Sequence, residues 1–452
     1  MLAGAGGRRL PCQHTVAARA AQATHHEEPA AMPRPFAVRS DRLRPSAAGP
    51  SAVPARRARR GGRRPLLVAV ALAASAALTA SCSSPGASAG AGASDEVKVA
   101  LVTSVSGPLA GYGEQYLQGF EAGLDHATGG TGEVDGVRIT VLEDDDAGDP
   151  AKGVSLVKKR IGQGVPIIAG TVVSGVATQI APVAAQNRTL YVSGPAATDA
   201  LTGINDYTFR SGRQTYQDVV TAREILAAEE GAEGGKDVVV LAQDNAFGQA
   251  NAAAVEEVLG GDGTTVTPVL APPGATDLTP TARKVLAAEP DMVFVAWAGD
   301  TAQSMWSTLE QQGVLEEATV VTGLDIRAGY PAFGAARDRV TLLAHYVPGA
   351  TNTPEAEAMR AYFEEKGWEE DLFSPDGFTA AQLVVRAVEA GGRDGDVEAM
   401  VEALEGFAFS GVKGPTRVRA EDHALLQPMF QAAFDGDLPS VTRTLEPGKV
   451  AP

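Results

Sequence analysis

Residues Val97–Ala127 read VKVALVTSVSGPLAGYGEQYLQGFEAGLDHA. VKVALVT (97–103) is a short apolar run of the kind buried on both faces of a parallel sheet. From Gln115 to Ala127 the apolar residues Tyr116, Phe120 and Leu124 recur every fourth position, which predicts a helix. Between them lie three glycines and a proline with no Lys, no Arg and no G-x-G-x-x-G spacing, so the loop does not suit phosphate. The same strand–loop–helix unit then recurs. VRITVLE (137–143) alternates like a strand, and Asp149 caps a helix that Pro150 opens and Ile161 ends. PIIAG (166–170) is a strand, Ser174–Gln186 a helix and TLYVS (189–193) a strand. A second series has strands at 237–242, 264–270, 291–297 and 318–323 and helices starting at about Ala246, about Leu278 and Thr301. After about Pro348 come helices at 354–366, 376–390 and 396–405, then the strand-like MFQAAF (429–434). Alternation of this kind predicts an α/β protein of two lobes, each a mainly parallel sheet flanked by helices.

The chain has 452 residues. Its first eighty hold thirteen Arg, no Lys and three acids, leaving 25 basic against 52 acidic residues from Cys82 onward. A net charge near −27 over that part argues against nucleic acid as a partner. The two cysteines, Cys12 and Cys82, precede the α/β part, so it holds no internal disulfide and no thiolate metal site. His126, His345 and His423 lie far apart and no H-E-x-x-H occurs, so a zinc hydrolase is not indicated and neither metal nor cofactor is expected. The acidic run EDDDAGDP (143–150) lacks the spacing of a calcium loop and reads as strand end, turn and helix cap.

ARRARRGGRRPLLVAVALAASAALTASC (55–82) has a cationic start, an uncharged stretch of fifteen residues from Leu66 to Ala80, and small residues before Cys82. The stretch is short for a bilayer span and suits the apolar part of an export signal, although a single membrane helix is the competing reading. The end of the signal resembles a lipobox, in which a cysteine after small residues is lipidated once the signal is cleaved. Thr79 departs from the usual leucine of that motif. The resemblance implies a lipid anchor at Cys82, and the Gly/Ala/Ser run after it is a flexible tether.

In open α/β sheets ligands sit beyond the carboxyl ends of the strands. In the first lobe these loops carry Ser106, Tyr112, Ser174 at a helix start, and Thr198 in GPAATD. In the second they carry Phe247, Trp297, Asp300 and Asp325. Hydroxyls and helix N–H groups on one wall hold a carboxylate, and an acid on the other holds an ammonium, so the combination suits a zwitterion. Helix capping would equally explain Ser174, Thr198 and Asp300, and a turn would explain Asp325.

VKVALVTSVSGPLAGYGEQYLQGFEAGLDHA, LEDDDAGDPAKGVSLVKK, IIAGTVVSGVATQIAPVAAQ and YVSGPAATDALT succeed one another as in the substrate-binding proteins of branched-chain amino-acid ABC transporters. The resemblance, to the leucine/isoleucine/valine-binding type, covers roughly Val97–Phe434. It implies a type I periplasmic binding protein fold with a three-segment hinge. The lobes would be 97–212 plus 347–408, and 213–346 plus 409–440, after a signal (1–81) and a tether (82–96) and before a tail (441–452). It also implies Ser174 on the ligand carboxylate, Ala196 and Thr198 beside it, Tyr112 at the pocket border and Asp325 on the ammonium. Phe247 and Asp300 stand where the amino-acid binders carry tyrosines, which opens basic, amide-like and polyamine ligands as well. The family's first-lobe disulfide has no counterpart here. The function so implied is capture of an amino acid or related polar metabolite by lobe closure and delivery to an ABC permease, by a monomer outside the cytoplasm. The alternatives are a sensor presenting the solute to a signalling partner and a secreted hydrolase, for which Asp300 and Asp325 are the only candidate acid pair.

Overall fold

The structure, a computed structural model, describes residues 95–227 and 235–451. Cys82, the export signal and the tether up to residue 94 lie outside the described residues, and Glu96, expected at the end of the tether, begins β1. The first series of units forms β1 (Glu96–Thr103), α1 (Ala110–Thr128), β2 (Glu133–Val134), β3 (Val137–Asp145), α2 (Pro150–Gly162), β4 (Ile167–Gly170), α3 (Ser174–Gln186), β5 (Leu190–Ser193) and β6 (Thr208–Arg210). Its strands make one sheet in the order β2-β3-β1-β4-β5-β6, parallel except for the β2–β3 hairpin. β4 and β5 are buried along their whole length, which explains their uninterrupted apolar sequences.

The second series forms α4 (Thr215–Leu226), β7 (Asp237–Gln243), α5 (Ala246–Leu259), β8 (Thr265–Ala271), α6 (Thr279–Leu286), β9 (Met292–Ala296), α7 (Ala302–Gln311), α8 (Val314–Glu317), β10 (Thr319–Gly323) and β11 (Val340–Ala344). Three helices come next, α9 (Pro354–Lys366), α10 (Ser374–Gly391) and α11 (Val397–Leu404), and then β12 (Ala408–Gly411), β13 (Gly414–Val418), β14 (Leu425–Leu426), β15 (Met429–Asp435) and β16 (Leu438–Leu445). The second sheet runs β16-β15-β11-β10-β9-β7-β8. It is parallel from β11 to β8, and β15 and β16 add to it antiparallel. This is the two-lobe α/β architecture the alternating pattern predicts.

The chain passes from one sheet to the other between β6 and α4, between β11 and α10, and between β14 and β15. α10 returns to the first lobe, where Ala380, Leu383 and Val384 share a core with Tyr116 and Phe120 of α1. The last return lies later in the chain than the sequence suggests. β12, β13 and β14 form a separate small sheet, and Val418 and Leu425 join the core of the first lobe. Lys413, between β12 and β13, places its ammonium 2.7 Å from the Asp376 carboxylate of α10, and both side chains are out of water. That buried ion pair and the two core residues hold 408–426 to the first lobe, whereas the family resemblance puts 409–440 with the second. The stretch expected as a tail from 441 holds the end of β16, with Leu445 and Val450 buried.

One further difference bears on the ligand-facing loop. α1 begins at Ala110, so two of the three glycines expected in the loop, Gly111 and Gly113, lie in its first turn. A Cβ on Gly113 would stand 1.9 Å from the Ser104 carbonyl oxygen, so the helix start and the end of β1 pack backbone to backbone. No helix among the described residues is long and apolar enough to cross a membrane.

Candidate functional site

A cleft of about 670 Å³ opens where the carboxyl ends of both sheets face each other, a volume in the range of small-molecule sites. The loops after β1 and β4 supply Ser104, Ser106, Tyr112 and Ser174, and those after β7, β9 and β10 supply Asn245, Phe247, Trp297, Asp300 and Asp325. Of the eight ligand-facing residues expected from the sequence, six therefore line one crevice: Tyr112, Ser174, Phe247, Trp297, Asp300 and Asp325.

Ala196 and Thr198 do not line it; Ala197, between them, does. Both are buried on the other side of the segment. There their carbonyls accept hydrogen bonds of 2.8 Å from the Arg210 guanidinium. Thr198 caps the short turn at 199–201 by accepting from the Ala200 N–H, so capping, not ligand contact, accounts for it here. Ser174 behaves differently. It is the first residue of α3, Val173 holds the cap position, and the Ser174 hydroxyl makes no hydrogen bond with a described residue. An uncommitted hydroxyl at the positive end of a thirteen-residue helix suits an anionic group in the cleft.

The opposite wall is tied together more tightly. Trp297 donates its indole N–H to Thr301 at 2.9 Å, which fixes the ring. Gln243 bonds both backbone groups of Ala298, at 3.1 and 3.2 Å, and Asn245 caps α5. Asp300 is not the cap of α7: Thr301 holds that position, and Asp300 sits exposed at the rim without a hydrogen bond or ion pair to a described residue.

Asp325 has the most distinctive environment. Its Oδ1 accepts from the Tyr112 hydroxyl at 2.5 Å and from the Ile326 N–H at 2.7 Å, while Oδ2 makes no hydrogen bond. A Cβ on Gly329 would come within 2.2 Å of Oδ2, so only glycine there leaves the carboxylate its room. Among the described residues no cation pairs with Asp325. Burial therefore raises its pKa, against the two hydrogen bonds. Burial and the facing carboxylate push the Tyr112 phenol well up in turn. Because Tyr112 belongs to α1 and Asp325 comes after β10, this hydrogen bond bridges the two lobes. A second bridge lies beside it: Asp371 accepts from Gln115 of α1 and from the Arg327 N–H, each at 2.8 Å.

Two charged lining residues have no place in the sequence reading. Arg213, just before α4, and Asp218, within α4, form a mostly buried ion pair in the cleft. Their signal is a run of charge, SGRQTYQD (211–218), at the passage between lobes rather than after a strand.

A family model described as periplasmic binding protein matches residues 96–437. The chain belongs to the periplasmic binding protein family. Among curated relatives, a Leu/Ile/Val-binding protein of Rhizobium johnstonii is 26% identical over 317 residues, covering 69% of this chain and 84% of that protein. A Leu/Ile/Val-binding protein homolog of Brucella melitensis is 25% identical over 313 residues, 68% of this chain and 83% of the relative. Among solved structures, an ABC-type branched-chain amino acid transporter protein from Rhodopseudomonas palustris is 29% identical with a TM-score of 0.63, covering 78% of this chain and 97% of that one. A solute-binding protein from R. palustris in complex with 4-hydroxybenzoate, 22% identical with a TM-score of 0.70 over 78% and 97%, shares the fold. The family relation makes this an extracytoplasmic solute-binding protein of the kind that serves ABC transporters. Its relatives are transport receptors rather than enzymes.

Proposed function

We propose that this protein is a lipid-anchored receptor that captures an amino acid or a closely related zwitterionic metabolite and hands it to an ABC permease, with Cys82 as the site of lipidation. The observation that carries the solute class is Asp325. It is a half-buried carboxylate with no cation among the described residues, in a cleft whose other wall offers an uncommitted serine hydroxyl at a helix start. A primary ammonium satisfies the acid, and the helix start with Ser174 holds the carboxylate. The Leu/Ile/Val-binding relatives support the amino-acid reading. Contact of one solute with both walls would stabilise the closed arrangement relative to an open one, which is how binding becomes a signal to the permease. Thermal-shift screening against the standard amino acids tests this, since a ligand of the native state raises the Tm. A rise with at least one of them, lost in Asp325→Ala, is the expected result. No rise with any of them would end the amino-acid reading. The anchor is tested apart: Cys82→Ser should move the protein from the membrane fraction to the soluble one.

A further inference from the structure

Arg210 and Arg213, both on the passage between lobes, are used in opposite ways. Arg210 is fully buried, and its terminal nitrogens donate to the carbonyls of Thr198, Ala196 and Arg213. Arg213 is also nearly out of water, its side chain 11% exposed, but it donates only through Nε, at 3.2 and 3.0 Å to the two oxygens of Asp218. Its two Nη nitrogens make no hydrogen bond with a described residue, although Arg213 and Asp218 both line the cleft. Both nitrogens open onto the cleft, where a polar group of a bound solute can accept from them.

We propose that Arg213 and Asp218 form a second recognition point in this cleft, and that the solute carries a primary carboxamide at the end remote from its ammonium. The inference rests on the amino-acid reading above and narrows it to amide-bearing amino acids. The pair is neutral as a unit, so a second carboxylate gains from Arg213 what it loses to Asp218. A carboxamide gains from both, its oxygen accepting from Nη and its N–H groups donating to an Asp218 oxygen. An aliphatic side chain satisfies neither. The two recognition points face one small cleft: Arg213, Asp218, Tyr112 and Asp325 all line the same space of about 670 Å³.

Calorimetric titration of the purified chain with glutamine, glutamate and leucine tests the proposal. Glutamine should bind at least about tenfold more tightly than either of the others, because a site built for a polar group rejects analogues that leave it unpaired. Arg213→Met should remove that advantage, and a cooperative thermal melt of the unliganded variant shows that it is folded. Asp218→Asn, which leaves Arg213 as a net cation, should turn the preference towards glutamate. Leucine or glutamate binding as well as glutamine to the unmutated protein would overturn the proposal, as would Arg213→Met weakening all three alike. Binding of none of the three also overturns it, and the amino-acid reading falls with it only if the remaining standard amino acids fail too.

Discussion

Asp376 is a fully buried carboxylate and Asp325 a half-buried one at the cleft, and they differ in their partners. Asp376 has a cation: Lys413 Nζ lies 2.7 Å from one oxygen, and the His345 ring Nε2 is 3.2 Å from the other. Burial alone would raise its pKa, but Lys413 and His345 together outweigh burial and hold Asp376 well below the usual carboxylate range. Asp325 has only a phenol and an amide, and burial prevails. The first acid is satisfied by the chain itself and fastens the 408–426 segment to α10, beside the passage that comes after β11. The second is satisfied only when something else arrives. Within one fold, a buried acid that has its counter-ion is architecture, and one that lacks it marks a place for a ligand.

The comparison breaks or sharpens under substitution. Asp376→Asn strands a buried ammonium and should cost about 3–5 kcal/mol of folding stability, read from denaturant melts. Asp325→Asn should leave the melt of the unliganded protein unchanged or improved at neutral pH, and should weaken solute binding by about 2–5 kcal/mol in calorimetry. Equal stability losses in the two variants would erase the distinction.

The pH responses should oppose each other in the same way. A lowered aspartate contributes stability that is present above its unfolded value, near 4, and is lost as pH falls through the folded one. His345, pushed down by burial from 6.5 to about 4 against the attraction of Asp376, adds a loss that begins as pH drops below about 6.5. Acid should therefore destabilise the fold through this cluster. Asp325 has the reverse sign. Its raised pKa costs stability as pH climbs above the ordinary aspartate value, and a bound ammonium removes that cost. Affinity should thus fall as pH drops through the raised value, with proton release on binding seen as a buffer-dependent enthalpy. The smallest effect belongs to Phe247→Tyr. A new phenol on the second wall should change affinity by no more than about 1 kcal/mol, the net value of one hydrogen bond.

How much of this is legible in the sequence depends on chain locality. Strand–loop–helix units are local, so the loops bearing Tyr112, Ser174, Phe247, Trp297, Asp300 and Asp325 can be found from the residues just past each strand end. Within GPAATD the sequence points to 196 and 198, whereas the extended segment turns 197 towards the cleft, and one residue of register reverses which side chains face in. Arg213 and Asp218 escape that search because they lie between lobes rather than at a strand end. Lys413 and Asp376, 37 positions apart, meet only after the chain has returned to the first lobe, and nothing in the composition of a two-residue strand such as β14 announces that return.

The way Asp325 is held has a further chemical consequence. A guanidinium grips a carboxylate as a fork, two parallel hydrogen bonds to two oxygens. Here one prong is blocked, since Oδ1 already accepts from Tyr112 and Ile326. The remaining oxygen offers a single point of attachment, well matched to an amine and poorly to a guanidinium. The phenol that bridges the lobes thereby also acts as a filter on which cationic heads the acid will admit.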